Sequence, residues 1–198
     1  NIFISINASP YENKKHNLRK SICSKIAKKN DVPLIYLNQI GGQDELVFDG
    51  NSFVMNHKGQ VTEECYAWKE QTKLIDLSVN KNITKQSLRS NTTSFEFDTW
   101  SALTLGLKDY FIKNSFNKII LGLSGGIDSA VSVALAVDAV GSENVIGVMM
   151  PSRYSSKESL TDAKESAKLL KIQTKLFNIR DIHKSYLSDI KKNLTKNI

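Results

Sequence analysis

The sequence has 198 residues, 40% of them hydrophobic, and 27 Lys and Arg against 20 Asp and Glu, for a formal net charge of +7. This apolar content excludes intrinsic disorder and suits one large domain or two small ones. No run approaches the ~20 uninterrupted apolar residues of a membrane span. Lys supplies 23 of the 27 basic residues, without the interleaved aromatic residues of a nucleic-acid-binding surface. We therefore expect neither a membrane nor a nucleic acid as a partner.

The first residues and the two cysteines of the chain bear on its cellular compartment. The chain opens with Asn1 and runs directly into the apolar stretch 2–6, without the basic segment and cleavage pattern of a secretory signal. This beginning favours a piece of a longer protein. Cys23 and Cys65 lie far apart, which excludes a disulfide framework and a zinc cluster and favours a reducing cytoplasm. We interpret both as small buried or half-buried thiols.

Residues 1–77 have the pattern of an α/β unit. Apolar runs predict strands at 2–7, 34–38, 46–48, 52–55 and 61–66. Between the first two runs Leu18, Ile22 and Ile26 recur every four residues, which predicts an amphipathic helix with these residues as its apolar stripe. The β-α-β order predicts a parallel strand pair. We expect glycine-containing turns to join the later strands.

The composition turns polar over 78–96, which predicts a linker. From residue 97 onward the pattern is regular α/β. Strands are predicted at 118–123, 145–150 and 176–179. Helices are predicted over the apolar stripe 100–111, over 127–140 with Gly141 as its end, and after a capping box formed by Ser155 and Glu158. This alternation predicts a parallel sheet covered by helices.

Residues 122–129, G-L-S-G-G-I-D-S, stand where the first strand of the second unit meets its helix. Doubly wound folds bind phosphate at this position, because loop amides and the helix N-terminus face an anion. Two glycines let the backbone approach closely, and two serines offer hydroxyl donors. These four residues are Gly125, Gly126, Ser124 and Ser129. Asp128 would repel a polyphosphate unless Mg²⁺ lies between them, so it is a candidate magnesium ligand.

Two other interpretations of the motif stay open. G-x-S-x-G at 122–126 fits the nucleophile elbow of α/β-hydrolases, with Ser124 as nucleophile and His183 as the only downstream histidine. That interpretation leaves Asp128 and Ser129 without a role. The second interpretation is that residues 122–126 form a glycine-rich turn that binds no ligand. A Walker A loop is excluded because no Gly-Lys-Ser/Thr follows, and a dinucleotide-binding G-x-G-x-x-G is absent.

The sequence S-G-G-x-D-S resembles the pyrophosphate-binding loop of the N-type ATP pyrophosphatases, which form adenylates and release pyrophosphate. Together, 122–130, M-P-S-R-Y-S-S at 150–156 and S-L-T-D-A at 159–163 resemble glutamine-dependent NAD synthetases within that superfamily. N-A-S-P at 7–10 and N-Q-I-G-G-Q-D-E-L-V-F-D-G at 38–50 resemble the end of that family's nitrilase-type amidase domain. GMP and asparagine synthetases carry other amidotransferase types. The resemblance spans about the whole chain and is weakest in the linker.

The resemblance implies an α/β fold in two parts. These are the end of a nitrilase-like α-β-β-α sandwich and the first part of a parallel-sheet, adenine-nucleotide α-hydrolase-like ATP pyrophosphatase domain. The corresponding boundaries are 1–77 for the amidase part, 78–96 for the linker and 97–198 for the start of the synthetase domain. The implied reaction is the ATP-dependent amidation of nicotinic acid adenine dinucleotide to NAD, with ammonia from glutamine and release of AMP and pyrophosphate. It requires ATP and Mg²⁺, and we expect the complete enzyme to be a homo-oligomer.

The resemblance also assigns residues. The ATP and pyrophosphate site would comprise Gly122, Leu123, Ser124, Gly125, Gly126, Ile127, Asp128 and Ser129. Asp128 would carry Mg²⁺, and Arg153 is a candidate for neutralising phosphate. Ser9 and Lys15 would bind glutamine, with a turn serine and a solvated lysine as the alternative, and Asn13 stands where relatives often have glycine. The amidase Glu, Lys and Cys precede the N-x-S-P segment in the family, so we expect no amidase catalytic residue here and an inactive chain on its own.

Overall fold

The computed structural model describes residues 1–76, 94–152 and 154–194. The chain divides into two compact units, Asn1–Tyr110 and Phe111–Ile198. Among the helices of the described ranges, none combines the length and the apolar character that crossing a membrane requires.

Unit 1 is built mainly from short strands. In the described part of the chain its elements are β1 (Phe3–Asn7), α1 (Lys15–Asn30), β2 (Leu34–Asn38), β3 (Ile40–Gln43), β4 (Leu46–Asp49), β5 (Phe53–Met55), β6 (Val61–Glu64) and most of α2 (Phe95–Lys113). β1 and β2 pair in parallel with α1 as their crossover, which confirms the β-α-β prediction. They join the antiparallel β5 and β6 in a sheet of order β1-β2-β5-β6, while β3 and β4 form a separate hairpin. β3 was not predicted, because its sequence I-G-G-Q has no apolar alternation.

The core of unit 1 lies between α1 and the four-stranded sheet. Its buried cluster consists of Cys23, Ala27, Leu34, Tyr36, Phe53 and Met55. The apolar stripe predicted for α1 does not face this core, since Leu18, Ile22 and Ile26 are 58%, 48% and 40% exposed. The helix instead buries Arg19, Cys23 and Ala27. Small side chains allow α1 to lie close to the sheet, where the stacked rings of Tyr36 and Phe53, with centroids 4.9 Å apart, fill the space.

α2 begins inside the segment predicted as a linker. Most of that segment, 78–93, lies outside the described residues. Phe95 and Glu96, which the prediction assigned to the end of the linker, already belong to α2. The Ser94 hydroxyl accepts a hydrogen bond from the Phe97 amide at 3.2 Å, as a residue ahead of a helix commonly does.

Unit 2 is a parallel sheet with helices. Its described elements are β7 (Ile119–Gly122), α3 (Ile127–Val140), the 3₁₀ turn Ser142–Asn144, β8 (Val145–Met149), α4 (Lys157–Leu169), β9 (Gln173–Leu176) and α5 (Arg180–Leu194). The order β7-β8-β9 is parallel throughout, as predicted. α3 ends at Gly141, whose amide donates to the Val137 carbonyl at 2.9 Å. The strand predicted at 176–179 was placed too late, because the polar side chains of β9 conceal it from a search for apolar runs.

The start of α4 differs from the predicted capping box of Ser155 and Glu158. Ser156 is the N-cap, and its hydroxyl accepts a hydrogen bond from the Ser159 amide at 3.0 Å. The Ser155 hydroxyl accepts instead from the Ser152 amide at 3.0 Å, in the turn before the helix. The hydroxyl of Ser155 is thus used in the turn, and that of the adjacent Ser156 caps the helix.

Candidate functional site

The segment between β7 and α3 lies at the carboxyl end of the parallel sheet. The Leu123 amide donates to the Val148 carbonyl at 2.8 Å, which extends the pairing of β7 with β8 up to the loop. The chain then turns through Gly125, and α3 follows Gly126, which has extended backbone angles (φ −86°, ψ 161°). No described side chain caps the first turn of α3. Its first-turn amides therefore remain for an anion, which the helix dipole also favours.

Ser124 and Ser129 form a closed ring of hydrogen bonds with Gly126. The Gly126 amide donates to Ser124 Oγ at 3.2 Å, and Ser129 Oγ donates to the Gly126 carbonyl at 2.9 Å. Each hydroxyl has one proton, so the 3.1 Å contact between the two Oγ atoms is a bond from Ser124 to Ser129. The Ser124 amide also points to Ser129 Oγ, at 3.3 Å. The ring holds the loop in shape without a bound ligand.

Gly125 is required at its position for two reasons. Its φ of 86° lies in the region that favours glycine. A Cβ atom there would also collide with the backbone of Ser159, in the first turn of α4. The start of α4, set by the Ser156 cap, therefore packs directly on the loop backbone, and the two together define one wall of the site.

A cavity of about 260 Å³ opens beside this loop. Its lining includes Gly122, Ser124, Met150, Pro151, Ser155 and Ser159. Pockets for complete small molecules begin at roughly 300 Å³. Apolar atoms of β8 and serine hydroxyls line this cavity. Its volume suits one part of a nucleotide whose phosphates bind to the adjacent loop backbone.

Asp128 lies exposed in the first turn of α3. Its carboxylate makes no hydrogen bond or ion pair with another described residue, and no group of three or more His, Cys, Asp and Glu in the described ranges could hold a metal ion. A single carboxylate beside a phosphate site suits Mg²⁺, which usually binds one or two carboxylates together with phosphate and water oxygens. It does not suit a metal held by protein ligands alone. Arg153, the predicted phosphate partner, lies outside the described residues.

The two residues predicted to bind glutamine have separate partners in unit 1. Arg19 Nε donates to Ser9 Oγ at 3.1 Å, and the Ser9 amide donates to Asn38 Oδ1 at 2.9 Å. Lys15 is the first residue of α1, and its Nζ lies 3.5 Å from a carboxylate oxygen of Glu12. No hydrogen bond among the described residues joins Ser9 to Lys15.

A protein-family model described as NAD synthase matches residues 99–198, half of the chain. This chain belongs to the NAD synthase family. It is 44% identical over 187 residues to the glutamine-dependent NAD(+) synthetase of Synechocystis, a match that covers 94% of this chain and 34% of that protein. It is 37% identical over 224 residues to that of Aquifex aeolicus, covering 98% of this chain and 40% of that protein. The chain thus spans little more than a third of these relatives' length.

Solved structures support the same fold. A glutamine-dependent NAD+ synthetase of Acinetobacter baumannii, determined in complex with ADP, matches with a TM-score of 0.84 and 34% identity, over 96% of this chain and 36% of that one. A glutamine-dependent NAD(+) synthetase of Cytophaga hutchinsonii matches with a TM-score of 0.80 at 18% identity, over 98% of this chain and 41% of that one, which supports the fold alone. The predicted α/β class is confirmed, and the described residues form a mixed sheet, a two-stranded hairpin and a parallel sheet.

The hydrolase interpretation of this family member's motif finds no support in the contacts of Ser124. Its hydroxyl bonds to Ser129 and to the amide of Gly126, and neither group is a base. The ring of His183 packs edge-on against Tyr154, with centroids 5.7 Å apart. Within the described residues, no acceptor activates Ser124 as a nucleophile-base pair requires.

Sequence reasoning missed a buried ion pair in unit 1. Arg19 and Asp49 are 5% and 2% exposed, and Arg19 Nη1 donates to both carboxylate oxygens of Asp49, at 2.8 and 3.0 Å. Asn51 Nδ2 donates to the same carboxylate at 2.7 Å. The sequence contained a signal that Arg19 is buried: it is one of only four arginines, and it shares the four-residue spacing of Cys23 and Ala27.

The two cysteines have the environment that the sequence predicted. Cys23 is buried and Cys65 half-buried, and neither forms a disulfide bond within the described residues. Burial raises the pKa of the Cys23 thiol. Burial also raises the pKa of Cys65, where nearby Lys73 and Glu63 act in opposite directions. A raised pKa leaves little thiolate at neutral pH, so neither residue has the character of an activated nucleophile.

Proposed function

We propose that this chain is a section of a glutamine-hydrolysing NAD synthetase. The complete enzyme would amidate nicotinic acid adenine dinucleotide to NAD, consume ATP and release AMP and pyrophosphate. The observation that carries the proposal is the S-G-G-I-D-S loop at the carboxyl end of β7, followed by the uncapped N-terminus of α3. The similarity to proteins named glutamine-dependent NAD(+) synthetases over more than nine tenths of the chain supports the choice of substrates.

The loop would stabilise the leaving group of the first step. In that step the nicotinate carboxylate attacks the α-phosphorus of ATP, and negative charge develops on the departing pyrophosphate. Within the loop the Gly126 amide and both serine hydroxyls donate in the ring, so the amides of Gly125 and Ile127 are the donors that the described contacts leave available for these oxygens. The Gly126 amide and the hydroxyls of Ser124 and Ser129 would turn from the ring to pyrophosphate when it binds. Donors that are already in place lose no energy to rearrangement as the charge develops, and the ring holds the loop backbone that carries the two amides.

Asp128 would hold Mg²⁺ against the phosphates. Bound there, Mg²⁺ would neutralise phosphate charge and orient the leaving group. The adenosine part would occupy the 260 Å³ cavity beside the loop. The ADP complex of the A. baumannii relative supports a nucleotide as the ligand of this fold. The nicotinate group needs further residues, which we do not assign within this chain.

The first unit would belong to the ammonia-producing half. We assign residues 1–77 to the end of a nitrilase-like amidase domain, 78–96 to a linker and 97–198 to the start of the ATP-pyrophosphatase domain. Ser9 and Lys15 would bind glutamine there, and the amidase nucleophile would come from another part of the complete protein. Two cysteines without a disulfide bond among the described residues suit an enzyme of the reducing cytoplasm. We expect the complete enzyme to be a homo-oligomer that binds neither nucleic acid nor membranes.

The test replaces Asp128 by Asn in the complete protein and measures pyrophosphate and glutamate separately. We expect pyrophosphate release to fall by about 100-fold or more, the range for the loss of one preorganised group at a developing charge. Glutamate production should persist, because the carboxylate acts only on the nucleotide. Asp189→Asn on α5, a matched change at another exposed carboxylate, should leave both products unchanged.

Three other outcomes would count against the proposal. Normal pyrophosphate release by Asp128→Asn would remove this residue from the site. Esterase activity that Ser124→Ala abolishes would support the serine hydrolase instead. Failure of the complete protein to bind ATP would favour a phosphate-binding module without synthetase activity.

A further inference from the structure

The guanidinium of Arg19 holds the segment Ser9–Pro10 through three hydrogen bonds. Arg19 Nε donates to Ser9 Oγ at 3.1 Å, and Nη2 donates to the carbonyls of Ser9 and Pro10 at 2.7 and 2.9 Å. Nη1 is occupied by Asp49. Burying a charged pair is costly unless its geometry and hydrogen bonds are favourable, and a well-packed apolar pair is often at least as stable. The pair therefore calls for an explanation beyond stability.

The direction of the Arg19–Ser9 bond determines what Ser9 can still do. Nε–H can only donate, so Ser9 Oγ accepts this bond and keeps its own proton for another acceptor. Within the described ranges no acceptor takes that proton. The Ser9 backbone cannot turn away, because its amide donates to Asn38 Oδ1 at 2.9 Å and its carbonyl accepts from Asn38 Nδ2 at 3.2 Å. Ser9 is thus a fixed hydroxyl donor without a partner of its own.

We infer that Arg19 is a positioning residue for glutamine binding: it fixes Ser9 as a hydrogen-bond donor to an oxygen of the glutamine substrate. This inference rests on the proposed function, which makes Ser9 a glutamine ligand. Hydrogen bonds in series polarise one another, so the donation from Arg19 also strengthens the hydroxyl as a donor. The ligand atom is a carboxylate or carbonyl oxygen, because only an acceptor can use the Ser9 proton.

Arg19 itself does not provide the charge that attracts the substrate. Its own charge is neutralised by Asp49, and it is buried beneath the segment that it holds. Lys15 is half-buried and, among the described residues, forms an ion pair with the exposed Glu12, so it can supply that charge. A lysine could not replace Arg19, because a single ammonium group cannot reach Ser9 Oγ, two carbonyls and Asp49 at once in the planar arrangement that arginine offers.

The test measures NAD formation by the complete enzyme with glutamine or with ammonium chloride as the nitrogen source. For Arg19→Lys we expect the KM for glutamine to rise about tenfold, the value of one well-placed hydrogen bond. NAD formation from ammonium should stay within about twofold of wild type, because that route needs no glutamine site. The matched control Arg180→Lys, at an exposed arginine that opens α5, should change neither.

A double-mutant cycle tests whether Arg19 acts through Ser9. Ser9→Ala should raise the KM for glutamine by a similar factor, and Ser9→Ala with Arg19→Lys should be no worse than Ser9→Ala alone. If Arg19→Lys does not fold, Arg19→Met with Asp49→Asn leaves no buried charge and should fold with a raised KM. A wild-type KM for glutamine in any folded Arg19 variant overturns the inference. Additive effects of the Ser9 and Arg19 substitutions on this KM also overturn it, as does an equal loss of NAD formation with ammonium.

Failure of the proposed function would look different. A wild-type protein that makes no NAD from either nitrogen source contradicts the synthetase assignment. A wild-type protein that uses ammonium but not glutamine contradicts the amidase assignment. In both cases the defect appears before any substitution at Arg19.

Discussion

The phosphate-binding loop and the Ser9–Pro10 segment each fix a serine hydroxyl, but they do so by opposite means. Ser124 and Ser129 bond to each other and to Gly126, so their partners lie no more than five residues apart and remain exposed. Ser9 depends on an arginine 10 residues away, which in turn depends on a carboxylate 30 residues further along, both buried. The first site is ordered locally, and the second is ordered by the folding of unit 1. Damage to the loop should therefore reduce activity more than stability, and damage at Arg19 should do the reverse.

The largest effect on activity should come from Gly125→Ala. The Cβ atom would collide with the backbone of Ser159 and would strain a residue with φ of 86°. We expect a loss of pyrophosphate release of about 100-fold or more, because the amide donors move from their positions. Gly141→Ala is the matched control: its φ is 87°, but the added atom meets only the flexible side chain of Glu143. Equal activities of the two variants would contradict the close packing of α4 on the loop.

The largest effect on stability should come from Arg19→Ala. Removing one partner of a buried pair leaves the Asp49 charge unpaired, which costs about 3 to 5 kcal/mol. Both tryptophans of the sequence, Trp68 and Trp100, lie in unit 1, so urea unfolding followed by their fluorescence reports on this unit. Lys15→Ala, which breaks a partly exposed pair, should cost less than about 1 kcal/mol. The comparison fails if the two variants unfold at the same urea concentration.

A smaller effect on activity is expected for Ser129→Ala. The change removes the hydroxyl that accepts from Ser124 and donates to the Gly126 carbonyl. Pyrophosphate release should fall about tenfold, since one donor and one support of the loop are lost. The fluorescence-detected unfolding of unit 1 should not change, because every bond lost is internal to the loop in unit 2. An unfolding midpoint shifted as far as that of Arg19→Ala would refute the local ordering of this site.

The smallest effect concerns the pH dependence of unit 1. Burial raises the pKa of Glu64, but hydrogen bonds from His16 and Lys20 outweigh it and hold the pKa below the ordinary value of 4.5. The stabilisation is therefore complete above pH 4.5 and is lost as the pH falls through the lower folded-state pKa. The difference in unfolding free energy between wild type and Glu64→Gln should shrink in that range. A difference that does not change with pH would contradict this stabilisation of the Glu64 carboxylate.

The same contrast explains what the sequence could predict. The 122–129 loop was predicted as a site because its spacing, its glycines and its helix follow one another along the chain. The strands at 34–38 and 145–150 and the helix at 127–140 were predicted because each has a local apolar signal. The Arg19–Asp49 pair was not, because it joins residues 30 positions apart, and the spacing that Arg19 shares with Cys23 and Ala27 indicates burial but names no partner.

Three structural elements show the limits of local patterns. α1 buries Arg19, Cys23 and Ala27 and leaves the predicted apolar stripe of Leu18, Ile22 and Ile26 exposed. β3 contains two glycines and β9 is polar, so neither shows the apolar run or alternation of a typical strand. Both strands exist because a neighbouring strand pairs with them. Such pairing depends on tertiary context that the sequence does not display.

The most direct test of the account uses the complete protein and glutamine labelled with ¹⁵N in its side-chain amide. The protein is supplied with nicotinic acid adenine dinucleotide, ATP and Mg²⁺, and NAD, pyrophosphate and glutamate are quantified. We predict that the label appears in the carboxamide of NAD, that pyrophosphate forms in equal amount to NAD, and that both products fall by about 100-fold or more in Asp128→Asn while glutamate formation persists. Glutamate formation without labelled NAD, or labelled NAD formed normally by Asp128→Asn, would contradict the account.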